Sequence, residues 1–188
     1  MKRATLMGAL LVALTPGVSV AEFTYSNVEV SFIDVELDGP ANVDGDGFEV
    51  AGSYDLNDRI YLFGEWQDQS FDFGIDGRSI ELGGGYKHEL NADLDLVGTL
   101  SYVDQEVKLG NFTADDDGLA LGGGIRSRLG DSFELDAFVR YVDFDQSGGD
   151  TGFGVTGRYY FTDSLALSFG TDMNDNVDTL RVGFRAEF

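Results

Sequence analysis

The chain of 188 residues has no cysteine, two prolines and one histidine. Without cysteine there are no disulfides, no thiolate nucleophile and no cysteine-bound metal. Nucleophilic catalysis by serine needs a base. The single imidazole, His88, falls three residues before a short turn, away from any candidate nucleophile. Basic residues are scarce as well, with 12 Lys and Arg against 34 Asp and Glu, a formal charge of −22. Such a surface makes nucleic acid a poor partner. Long apolar runs are also missing. The one continuous stretch, Leu6–Leu14, is too brief to cross a bilayer as a helix, which takes roughly 20 residues. A chain like this enters a membrane as strands or not at all.

Leu6–Leu14 has another reading. Lys2 and Arg3 precede it, Pro16-Gly17 follows, and Ser19-Val20-Ala21 then offers small residues at −3 and −1. A basic start, a short apolar centre and a small-residue site describe a secretory signal peptide, residues 1–21, cleaved after Ala21. Residues 22–188 are then the folded domain.

What the domain has in plenty is glycine, 26 residues, and strict alternation. From Leu180 to Phe188 apolar and polar residues take turns without a fault. That is a strand with two chemically different faces. Similar segments recur near 23–35, 47–56, 59–68, 78–90, 94–104, 117–129, 133–143, 152–162 and 165–172, the last strand being 178–188. The connections Asn57-Asp58, Asn91-Ala92-Asp93, Gly130-Asp131-Ser132 and Thr162-Asp163-Ser164 are short and carry turn chemistry. Five others, centred near 41, 73, 111, 148 and 175, are longer and rich in Gly and Asp. Short turns on one side and longer loops on the other describe an outer-membrane barrel. The expected fold is all-β: an antiparallel up-and-down transmembrane β-barrel of ten strands, or eight if one hairpin is misread. Its short turns would be periplasmic and its longer loops external.

One parity is apolar throughout, as in Val28, Val30, Phe32, Leu62, Leu82, Leu100, Leu121 and Leu167, with glycines but no charge in the strand centres. Its aromatics gather towards strand ends. Trp66, Tyr102 and Tyr141 fall near the long loops, and Tyr54, Tyr86, Tyr159 and Phe161 near the short turns. Two aromatic girdles are expected where rings settle at both membrane–water boundaries. This parity therefore faces lipid. The polar parity, rich in Gly83, Gly85, Gly122, Gly124, Gly154, Gly170 and Gly183, lines a narrow lumen, the glycines leaving room for long side chains opposite them.

The lumen is ionic. Arg59, Lys87, Arg126, Arg128, Arg140, Arg158, Arg181 and Arg185 fall on the inward parity. So do Glu29, Glu49, Glu65 and Glu81 on the first four strands, and Glu134 and Asp136 on the seventh. Closing the barrel sets mostly acidic strands against mostly basic ones. Bidentate Arg–carboxylate pairs follow, and they persist where fully hydrogen-bonded or partly wet. The resulting network, Glu29, Glu49, Glu65, Glu81, Arg126, Arg140, Arg158, Arg181 and Arg185, acts either as a plug or as a constriction that selects ions. A barrel of about eight strands is only wide enough for its own side chains, which favours the plug.

The loops are acidic, among them Asp34, Glu36, Asp38, Asp44 and Asp46 in the first and Asp172, Asp175 and Asp178 in the last. Asp44-Gly45-Asp46-Gly47 and Asp115-Asp116-Asp117-Gly118 share the composition of calcium loops but lack the full spacing and the bidentate Glu. No dedicated metal site and no cofactor is expected. Loosely held divalent cations between these carboxylates and lipid phosphates are the modest alternative.

The leader, the alternating strands, the turn–loop asymmetry and the closing Leu-Arg-Val-Gly-Phe-Arg-Ala-Glu-Phe together resemble the small outer-membrane β-barrel proteins. That broad group includes OmpA-like and OmpX-like barrels and is often labelled the porin family. The resemblance spans residues 22–188. It implies a Gram-negative cell envelope, outer-membrane lipid and lipopolysaccharide as surroundings, and the barrel-assembly machinery as a partner. That machinery would read Leu180, Val182, Phe184 and Phe188. Membrane-barrel hydrolases of this kind use a His, and His88 lies on the lipid-facing parity near the periplasmic turns, so no catalytic residue is assigned. The function expected is structural or surface-interacting, the alternative a narrow, cation-preferring channel.

Overall fold

The computed structural model describes residues 23–37, 43–174 and 177–188. The expected leader, residues 1–21, lies outside them, as do Asp38 and Asp175. Ten strands follow in chain order: β1 Asn27–Leu37, β2 Val43–Asp55, β3 Ile60–Phe71, β4 Ile75–Asn91, β5 Leu94–Leu109, β6 Phe112–Arg128, β7 Phe133–Phe144, β8 Gly148–Thr162, β9 Leu165–Met173 and β10 Val177–Glu187. Each pairs antiparallel with its sequence neighbours, and β1 pairs with β10, so the sheet is a closed barrel without edges. The seam runs from Asn27 opposite Glu187 to Leu37 opposite Val177. Ten strands, not eight, is the count.

Burial alternates along the strands as the sequence does. On β1, Asn27, Glu29, Ser31, Ile33 and Val35 are buried inside, while Val28, Val30, Phe32 and Asp34 are exposed. The outer surface is therefore apolar: Leu62, Leu82, Leu100, Leu121 and Phe184 are each at least half exposed. A water-soluble protein does not carry an apolar band of this extent.

The strand limits differ from the sequence reading at both ends. At the long-loop end, residues read as loop are strand. β5 and β6 run to Leu109 and from Phe112, leaving a connection of Gly110-Asn111, with Gly110 at φ 60°. β3 and β4 are joined by one 3-10 turn, Asp72–Gly74. The longer excursions are thus projecting hairpins rather than irregular loops. The backbone prefers to continue the ladder, each added pair satisfying its own N–H and C=O groups. At the other end, Ser26 O still accepts from Phe188 N–H at 3.1 Å, whereas residues 23–25 leave the ladder, with Phe23 and Tyr25 buried inside the barrel.

The inward glycines are filled differently from expectation. A Cβ on Gly85 would strike the Tyr61 ring, one on Gly154 the Phe138 ring and Asp172, and one on Gly83 the tip of the Phe63 ring beside Ser101. Gly122 and Gly183 face the hydroxyls of Thr99, Ser31 and Ser168. Gly170 lies against the Thr156 hydroxyl and the stem of Arg181.

Candidate functional site: an ionic lumen with a folded-in plug

Inward parity brings the charged residues of distant strands together. Arg158 of β8 is the hub. Its Nε donates to Glu29 of β1 at 3.3 Å, and its Nη1 to Glu134 of β7 at 3.2 Å and also to Asp136. Arg126 of β6 donates Nη2 to Glu134 at 2.8 Å and to Glu187 at 3.2 Å. Arg185 of β10 reaches Glu187 at 3.1 Å and Glu29 at 3.7 Å. These groups are almost wholly shielded, with 5% of the Arg126 side chain and 2% of that of Glu134 exposed. Burying such charges is tolerable only because each carboxylate meets several guanidinium donors.

Nearer the hairpin end the network thins. Arg140 of β7 spans the lumen to Glu81 of β4 at 2.6 Å. Arg181 of β10 pairs with Asp172 of β9 and, at 3.6 Å, with Glu49 of β2. Gln69 donates to Gln67, whose amide in turn donates to Glu49 at 3.0 Å and Glu65 at 2.7 Å. Glu65 stands opposite Glu81 in register and forms no salt bridge among the described residues. Acidic and basic halves do meet at Arg140–Glu81, Arg158–Glu29, Arg181–Glu49 and Arg185–Glu29. Seven further pairs among the described residues form inside the basic half, through Glu134, Asp136, Asp172 and Glu187. Two basic residues of the inward parity lie outside that network, as the sequence reading has them. Arg59 is exposed in the turn before β3, and Arg128 stacks on a ring.

The second part of the site is the segment before β1. Phe23 and Tyr25 are 3% and 5% exposed, inside the short-turn end of the barrel. The Tyr25 ring lies 4.7 Å from that of Tyr61. Arg126 stands over both Phe23 and Tyr25, at 4.9 and 4.6 Å, Lys87 over Tyr25 at 4.6 Å, and Arg128 over Phe23 at 4.5 Å. Desolvated cation–π contacts of this kind are worth about 2 kcal/mol each. Polar groups fix the register. Thr24 O accepts from Arg126 at 2.7 Å, Tyr25 N–H donates to Asp55 at 2.8 Å, and the Tyr25 hydroxyl to Asp95 at 3.1 Å. Lys87 also pairs with Asp55 at 2.8 Å.

Above this plug lies a cavity of about 820 Å³, open towards the hairpins. It narrows onto Tyr25, Tyr61, Arg126, Asp136 and Arg158. Val35, Phe71, Ile75, Val107 and Phe144 line its mouth.

Outside, Trp66, Tyr102, Tyr141, Tyr54, Tyr86, Tyr159 and Phe161 are all exposed, as are Leu180, Val182, Phe184 and Phe188. His88 is exposed on the same face. The two calcium-like stretches are not loops. They lie within β2 and β6, where Asp44 and Asp46 share one face and alternation sends Asp116 to the face opposite Asp115 and Asp117. Carboxylates instead face each other across strands: Asp34 opposite Asp46, Glu36 opposite Asp44, Asp104 opposite Asp117 and Glu106 opposite Asp115.

No protein-family model matches the chain, and no curated protein sequence is detectably similar to it. Solved structures do match. The β-domain of the Bordetella autotransporter BrkA has a TM-score of 0.58 at 12% identity, over 88% of this chain and 100% of that one. The translocator domain of the autotransporter NalP from Neisseria meningitidis has 0.51 at 11%, over 89% and 90%. The KdgM porin, solved in complex with disordered oligogalacturonate, has 0.50 at 13%, over 86% and 99%. The likeness is one of fold: this chain has the architecture of the small outer-membrane β-barrels.

Proposed function

We propose that the protein is a non-enzymatic integral outer-membrane barrel whose lumen is sealed, acting as a structural or surface-interacting element of the envelope. The short turns then face the periplasm and the projecting hairpins the exterior. The leader, residues 1–21, directs export and is removed after Ala21. The observation that carries the sealed reading is the floor of the cavity. Tyr25 and Tyr61 close it, with Phe23, Lys87 and Arg128 clustered at the same end. Trp66, Tyr102 and Tyr141 would mark the outer membrane boundary, and Tyr54, Tyr86, Tyr159 and Phe161 the inner one. Leu180, Val182, Phe184 and Phe188 would be read by the assembly machinery. The facing carboxylates of β1–β2 and β5–β6 would lie at the level of lipopolysaccharide phosphates, with divalent cations held loosely between.

The competing reading is a narrow, cation-preferring channel, favoured by the excess of lumenal carboxylates and by the open upper cavity. Planar-bilayer recording separates the two. The sealed barrel passes no steady current above leak, whereas removal of residues 22–26 gives a cation-selective current. A steady current through the full protein that changes in Arg158→Ala would establish the channel instead.

A further inference from the structure

Among the described residues lining the upper cavity, Glu65 and Asp150 are carboxylates that form no salt bridge, Glu65 beside the ionic network. Glu49, Glu81 and Asp172 each face an arginine, while Glu65 receives only the Gln67 amide. At this level four carboxylates stand against Arg140 and Arg181, so the wall is short of positive charge. Glu65 is half-buried and lines the cavity directly. A carboxylate in such a place gains from a cationic partner, because its surroundings solvate it less well than water.

The walls beside it are aromatic. The Phe63 ring, two residues along β3, reaches Gly83, and the Phe138 ring reaches Gly154. Both rings are half-buried and both line the cavity. The negative face of a ring attracts a cation at close range. The volume suits a small organic molecule, since ligand pockets run from about 300 to 1,000 Å³. The acidic hairpins around the mouth favour entry of cations over anions.

We infer that this cavity is a binding site for an organic monocation with an aromatic or apolar body, its charge held by Glu65 and its body against Phe63 and Phe138. The inference goes beyond the sealed or conducting state of the barrel, because the site lies above the plug. It is tested by calorimetric titration of the full chain in detergent, with benzyltrimethylammonium as the probe and phenylacetate as the anion of similar size. The cation binds and the anion does not. Glu65→Gln keeps the side-chain shape and weakens cation binding about tenfold, the loss of one charge-assisted contact. Glu65→Lys abolishes it, with strand content followed by circular dichroism so that a misfolded variant is recognised. A distant control, Asp163→Asn in the exposed turn between β8 and β9, retains cation binding. Absence of cation binding by the full chain, equal binding by Glu65→Gln, or phenylacetate binding as tightly as the cation would each overturn the inference.

Discussion

Single residues in the lumen differ sharply in what their loss would cost. Glu134 accepts from both Arg126 and Arg158 and is 2% exposed in its side chain. Truncating it takes one carboxylate partner from each of two buried guanidinium groups. Glu134→Ala is expected to destabilise the protein by about 3–5 kcal/mol, the usual cost of breaking a buried pair from one side. Guanidinium unfolding in lipid vesicles, followed by the fluorescence of Trp66, measures this. A loss below about 1 kcal/mol, typical of exposed pairs, would mean that lumenal water solvates the cluster. Arg78–Asp68, half exposed on both partners, is such an exposed pair and should tolerate truncation.

At the scale of elements, the projecting hairpins are held to one another as well as within themselves. Asp116 on β6 accepts from the Ser147 hydroxyl at 2.6 Å and from the amides of Ser147 and Gln146 at 2.8 and 3.0 Å. The donors lie in the connection between β7 and β8, so the carboxylate ties two excursions together. The Ser147 hydroxyl foremost, with these amides, holds the Asp116 carboxyl below the usual carboxylate range. A depressed folded-state pKa means the tie is fully present above the ordinary carboxylate range and lost only as pH falls through the lowered value. Asp116→Asn is therefore expected to speed hydrogen exchange of the Gln146 and Ser147 amides at neutral pH. Unchanged exchange would show that the connection is held elsewhere. These same hairpins explain where sequence reading stopped short. Gly and Asp have low strand propensity, so 112–116 and 148–151 read as loop, yet the ladder carries them. Asp172 reads as a loop acid, yet it shares parity with Ser168 and Gly170, and that parity is the signal for its pairing with Arg181. The alternation of Phe23 and Tyr25 matched a strand pointing inward. Periodicity gives a residue's side and says nothing of whether its backbone joins the ladder, so the plug could not be foreseen.

Across the whole molecule, charge is arranged by depth. The outer band is apolar, the lumen holds a network of paired charges, and further carboxylates collect on the hairpins. Facing like charges across strands are destabilising, and Asp34–Asp46, Glu36–Asp44, Asp104–Asp117 and Glu106–Asp115 present four such encounters. Millimolar Mg²⁺ is expected to raise the thermal unfolding midpoint in vesicles containing lipopolysaccharide, and chelation to lower it. The same midpoint with and without Mg²⁺ at constant ionic strength would remove divalent cations from the account. The architecture itself was readable because a lipid-facing strand must alternate over its whole length. Ten alternating segments, from Val28–Val30–Phe32 to Leu180–Val182–Phe184, therefore gave strand number and facing together. Which charge meets which did not follow, since pairing across the lumen depends on shear and tilt rather than on sequence spacing.

The contact made by Arg126 also imposes an order in time. This guanidinium on β6 holds Thr24 O and Glu187 together, one just before β1 and the other at the end of β10. The three can meet only after the first and last strands have become neighbours. Before that, Phe23 and Tyr25 can already rest on β2–β6, but Arg126 lacks its Glu187 partner. In the proposed sealed barrel, tightness would then come last and report that the circle is complete.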